Sequence, residues 1–101
     1  MIATTIEQGH RLLFAGVDPG TADLWWNLYS VTYDFGHAME VKTEKPHLCD
    51  FNWFNREENI PAWSIGGLID LLKERGKVVE FSSDDSSEEI IETLVEALIN
   101  D

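Results

Sequence analysis

Apolar residues recur along this chain at intervals of three and four near both ends and alternate with polar ones in between, a pattern that predicts helices flanking a sheet. Thr4 and Glu7 have the spacing of a capping box, and Ile6, His10, Leu13 and Val17 then fall on one side of a helix running from about Thr5 to Ala15. Gly16 closes it, Asp18-Pro19-Gly20 makes a turn, and Thr21-Ala22-Asp23 adds a further helical turn capped by Thr21. Trp25 to Tyr33 is aromatic and β-branched and reads as a strand. Its alternation places Trp26, Leu28 and Ser30 on one face, and Trp25, Asn27, Tyr29, Val31 and Tyr33 on the other.

Asp34-Phe35-Gly36-His37 connects this strand to a second, Ala38 to Thr43, with antiparallel pairing as the simplest arrangement. Glu44-Lys45-Pro46 breaks the pattern before a third strand over His47 to Phe54, and Asn55 to Asn59 forms a charged loop. A second helix is expected from about Ala62 to Arg75. Pro61 and Ser64 are its start signals, Ile65, Leu68, Ile69 and Leu72 its apolar stripe, and Gly76 its left-handed cap. Gly66-Gly67 inside it points to close packing or a weak first turn, because each glycine costs a helix about 0.8–1 kcal/mol against alanine. A short strand follows at Val78 to Ser82. Ser86 and Glu89 then cap a final helix with the stripe Ile90, Ile91, Leu94, Val95, Leu98 and Ile99, opposite Glu88, Glu89, Glu92, Thr93 and Glu96. The expected fold is a single α+β domain over residues 1–101, with a small antiparallel sheet packed against helices in the order α-β-β-β-α-β-α.

Composition adds one core and a bias in charge. A 101-residue chain with 44% hydrophobic residues and four Trp buries one core of ordinary size. Cys49 is the only cysteine, which excludes an intramolecular disulfide, and the opening residues have neither the basic nor the apolar region of a signal peptide, so a cytoplasmic location is the expectation. No apolar run approaches the roughly 20 residues of a membrane span. The net charge is −12, and from Val78 to Asp101 eight acidic residues stand without a single Lys or Arg. Such a surface repels phosphate backbones and anionic lipid and attracts basic proteins.

Two segments carry a resemblance. Thr5-Ile6-Glu7-Gln8-Gly9-His10-Arg11-Leu12-Leu13, with Gly16, Pro19 and Thr21-Ala22-Asp23-Leu24 after it, and Ile60-Pro61-Ala62-Trp63-Ser64-Ile65 with Leu68 to Leu72, resemble a family of small uncharacterised proteins from gut Bacteroidetes and their phages and prophages. The likeness spans well over half of the region from Thr5 to Leu72. It implies a commensal or mobile-element origin and brings no known activity, substrate or catalytic residue. Members of that family continue through several strands after the Pro61 to Ser64 motif, where this chain offers only Val78 to Ser82.

The candidate chemistry is sparse. His47, Cys49 and Asp50 are the one cluster of metal-ligand types and the basis of an alternative reading as a small metal-dependent or Cys/His hydrolase; the spacing matches no recognised zinc motif, and a buried structural cysteine is the commoner outcome. Asp18-Pro19-Gly20-Thr21 and Gly66-Gly67 match neither a dinucleotide fingerprint nor a P-loop. The sequence therefore calls for no cofactor, no metal and no catalytic residue. Its favoured reading is a non-enzymatic intracellular protein that binds a protein partner, preferably a basic one, through an aromatic and acidic surface comprising Trp25, Trp26, Tyr29, Glu88, Glu89, Glu92 and Glu96. A narrower form makes it a mimic of nucleic-acid charge, and the same aromatic patch is suited to homodimerisation.

Overall fold

The computed structural model describes residues 2–53, 56–80 and 85–100. The fold is α+β. Helix α1 (Ile6–Phe14) is followed by a 3-10 turn (Pro19–Thr21), strands β1 (Leu24–Asp34), β2 (His37–Cys49) and β3 (Ile60–Ala62), and helices α2 (Ile65–Glu74) and α3 (Ser87–Ile99). The sheet is antiparallel with spatial order β2-β1-β3.

The helices pack on one another around the core. Leu12 of α1, Leu68, Leu71 and Leu72 of α2, and Ile91, Leu94, Val95 and Leu98 of α3 enclose Trp63, which is 0% exposed. The final helix follows the expected stripe, with Ser86 accepting the Glu89 N–H at its N-terminus. Its C-terminal carbonyls are met by cations from the end of α2: Arg75 donates to the Leu98 carbonyl at 3.2 Å and Lys77 to that of Ala97 at 3.0 Å. Positive charge there complements the negative end of the helix.

Several boundaries move, each for a local reason. The capping box of α1 is Thr5 with Gln8, one residue later than the Thr4–Glu7 spacing predicts. Thr4 is instead buried, where its hydroxyl accepts the Trp63 N–H at 3.0 Å. The buried side of α1 is Gly9 and Leu12, and His10 is exposed. The turn after α1 is capped by Asp18, whose carboxylate accepts the Gly20 N–H, and not by Thr21. Helix α2 starts only after Ser64, because Ile60–Ala62 pairs with β1 as the edge strand β3. Pro61 opposes Trp25 in that strand; with Ile60 and Ala62 bonded inward, the missing Pro61 N–H faces outward, where no ladder bond is lost.

The second and third expected strands merge into β2. Between the pairs Tyr29↔Lys42 and Asn27↔His47 the register shifts, and the surplus residues around Pro46 bulge out without ending the strand. Val78–Glu80 is in no strand, and Phe81 and Ser82, the rest of that expected strand, lie outside the described residues, as does Phe54 at the end of the expected third strand.

Candidate protein-docking surface

The β1–β2 hairpin outruns the body of the molecule. β3 covers β1 only from Leu24 to Trp26, and from Val31 to Lys42 every residue is exposed, on both faces of the ribbon. The principal extents are 54 × 28 × 17 Å and the radius of gyration is 15.6 Å. A compact chain of this length would have about 13 Å. The difference is the arm.

The arm ends in a two-residue turn, Phe35 (φ 50°) and Gly36 (φ 79°), with both residues in the left-handed region that a type I′ hairpin requires. Its exposed side chains are unusually apolar. Phe35 is 95% and Tyr33 78% exposed, and Val31, Met39 and Val41 also face solvent. By the pleat, Val31 and Tyr33 share a face with Tyr29, and Met39 and Val41 lie on the other.

The root of the arm is held by polar contacts. Asn27 and Asn59 are buried; the Asn59 amide donates to the Asn27 side-chain oxygen at 3.0 Å, and Asn27 accepts the Trp53 N–H at 2.8 Å. Asn59 also accepts the Leu28 N–H at 2.9 Å, closing the edge of β1 just beyond β3. One turn out, the Arg56 guanidinium lies 3.9 Å from the centre of the Tyr29 ring and forms ion pairs with Glu40 of β2 and with Glu58. The Glu40 hydrogen bond holds Arg56 firmly protonated, above its ordinary pKa. Arg56 thereby fastens both strands of the arm to the loop before β3.

The residues singled out in the sequence do not form one patch. Trp25 and Trp26 point to opposite faces of β1. Trp25 borders a cleft with Leu13, Pro19 and Pro61, whereas Trp26 donates its indole N–H to the Thr4 carbonyl at 2.9 Å. Trp26 does meet the acidic helix: with Leu48, Ile91, Glu88 and Glu92 it lines a cleft of about 580 Å³ between the sheet and α3. Tyr29 is half-buried under Arg56. Glu92 is engaged internally, accepting from Arg11 at 2.7 Å and Gln8 at 2.6 Å, and these bonds hold its carboxyl below the usual range, Arg11 first. Glu88, Glu89 and Glu96 are exposed.

His47 and Cys49 occupy alternate positions of β2, opposite Asn27 and Trp25, with Asp50 exposed beyond them. Among the described residues no group of three or more His, Cys, Asp or Glu side chains is placed to hold a metal ion, and no helix is long and apolar enough to cross a membrane. The Pro61 to Ser64 motif is built into the scaffold: Pro61 and Ala62 lie in β3, Trp63 fills the core, and Ser64 caps α2 while bonding Asp23. Of the apolar tip, Tyr33 belongs to the aromatics that the sequence offers for an exposed patch, whereas Phe35, in the expected connector, and Met39, in the expected second strand, escape it, because only the paired register shows both strands running on to a two-residue turn. No family model, curated protein or solved structure matches the chain.

Proposed function

We propose that this is a non-enzymatic binding protein that engages a protein partner through the projecting β1–β2 arm. The observation that carries this reading is the exposure of Val31, Tyr33, Phe35, Met39 and Val41 on a ribbon that takes no part in the core. Burying large apolar side chains yields about 1.5–3 kcal/mol each, so a chain that leaves several together on a rooted projection has its binding energy concentrated there. The acidic face of α3 has the secondary role of favouring a basic partner. Its narrower use as a nucleic-acid mimic draws less support, because Arg11 already neutralises Glu92. The resemblance to small proteins of gut Bacteroidetes and their phages favours a bacterial cytoplasm as the setting.

The test is affinity capture from lysate of a gut Bacteroidetes host with two variants beside the native chain. In one, Tyr33 to Ala38 is replaced by Asn-Gly, shortening the arm while keeping Glu40. The other combines Glu88→Gln, Glu89→Gln and Glu96→Gln. A partner retained by the native chain and the glutamine variant but lost with the short arm is the expected result. Loss with the glutamine variant alone would transfer the site to α3, and equal capture by all three would overturn the arm as the binding element.

A further inference from the structure

The two edges of the arm differ. Asp34 and His37 close the two-residue turn as a hydrogen-bonded pair, and alternation from there sends the backbone groups of Thr32 and Ser30 across to β2. Those of Tyr29, Val31 and Tyr33 point outward along the opposite edge of β1, which among the described residues pairs with no strand beyond the Asn59 cap at Leu28. The outer edge of β2 carries Glu40, Lys42, Glu44 and Lys45, the bulge and Pro46, the devices by which proteins block edge pairing. The β1 strand carries none of them in its own sequence from Leu28 to Tyr33. Leu28 to Tyr33 contains no charge, proline or glycine and is rich in β-formers, the composition of a strand that pairs.

We infer that the free edge of β1 pairs with the same edge of a second copy, antiparallel about a two-fold axis at Val31. This rests on the reading of the arm as the binding element and names its occupant. The edge is self-complementary in that register: Val31 opposes Val31, Tyr29 opposes Tyr33, and Ser30 opposes Thr32 on the reverse face. Each outward Tyr29, Val31 and Tyr33 then exchanges its N–H and C=O bonds with an outward residue of the partner. Aromatic pairs of this kind stabilise a sheet, and no like charges meet. Charge favours this site as well, for two chains of net charge −12 repel wherever their acidic surfaces approach, and this stretch is uncharged. The union makes a four-stranded sheet across the axis with β2 outermost on both sides. A contact confined to five residues per chain is smaller than a standard interface of about 800 Å² per partner, so association is in the micromolar range or weaker.

Sedimentation equilibrium of the native chain at micromolar and near-millimolar concentrations tests this, with Val31→Lys and Val31→Glu, each at an exposed position. The native chain is expected to dimerise as concentration rises. Each variant alone places like charges in contact at the axis and weakens association at least tenfold, and an equimolar mixture of the two restores it because Lys then opposes Glu. Amide exchange supplies a readout that does not depend on the variants: the Val31 N–H is protected at high concentration and exchanges freely at low. A native chain monomeric throughout, or a dimer equally strong in both variants, would overturn the inference. If that monomer still captures a partner lost on shortening the arm, the arm reading stands and its occupant is a different protein; if it captures none, both fail.

Discussion

Gly9, Gly66 and Gly67 all sit in helices, yet a methyl group at each meets a different neighbour. At Gly9 a Cβ would lie 2.7 Å from the Pro61 carbonyl oxygen and 2.9 Å from Ile60 Cγ2, so α1 lies against β3 at a distance only glycine allows. Gly9→Ala should lower stability by about 1–3 kcal/mol through this clash, reversing the usual helix preference for alanine. Gly66 has only the Ser64 hydroxyl nearby, at 3.8 Å, and Gly66→Ala should raise stability by about 0.5–1 kcal/mol. Urea melts of the pair check both signs. Gly67 lies between these cases, since its Cβ would press on the Asp23 carboxylate that bonds Ser64. Glu92 offers a second residue-scale test. Its carboxyl is more acidic folded than unfolded, so the Arg11 and Gln8 bonds contribute fully above the unfolded value of about 4.3 and are lost as pH falls through the lower folded value. For a pair this exposed the contribution is about 0.2–1 kcal/mol. Glu92→Gln should therefore melt earlier than the native chain at neutral pH, with the gap closing in acid; a gap independent of pH would remove the ion pair as its cause.

At the scale of elements, the arm and the body draw on different parts of the sequence. Helix α3 was legible because its stripe and cap agree, and the α+β class followed from the alternation between helical segments. The edges of the sheet were harder to read. Ile60-Pro61-Ala62 is too short to show a period, and its strand character comes from pairing with Leu24 to Trp26, distant in sequence. Pro46 reads locally as a strand breaker, and only the register on β1 absorbs it as a bulge. Arg56 reads as one more residue of a charged loop, and its contacts with Tyr29 and Glu40 exist only once the arm is folded. The hairpin turn carries its own prediction. Phe35 holds φ at 50° with its ring in solvent, gaining nothing for a conformation that side chains other than Asn and Asp rarely adopt. Phe35→Asn creates the preferred Asn-Gly turn and should stabilise the hairpin by about 0.5–1 kcal/mol, seen as a higher melting temperature and slower amide exchange across Asp34 and His37.

At the scale of the whole molecule, charge and shape pull in different directions. Nineteen acidic and seven basic residues leave −12, and the cations are largely committed: Arg11 to Glu92, Arg56 to Glu40, Arg75 and Lys77 to the end of α3. The other acidic residues of α3, Glu88, Glu89 and Glu96, are exposed to solvent. Salt weakens the ion pairs of Arg11 and Arg56, but it also screens the far larger set of repulsions, which act over distances comparable to the Debye length of about 10 Å at 0.1 M. The melting temperature should therefore rise between low salt and about 0.15 M, and the rise should shrink in the glutamine variant of Glu88, Glu89 and Glu96. A fall with salt would mean that the Arg11 and Arg56 pairs outweigh the net repulsion. The same screening acts between molecules. Two copies that meet along an uncharged β1 edge still carry their acidic helices, so salt should strengthen dimerisation while weakening capture of any basic partner by α3, and opposite salt slopes in one protein separate the two surfaces.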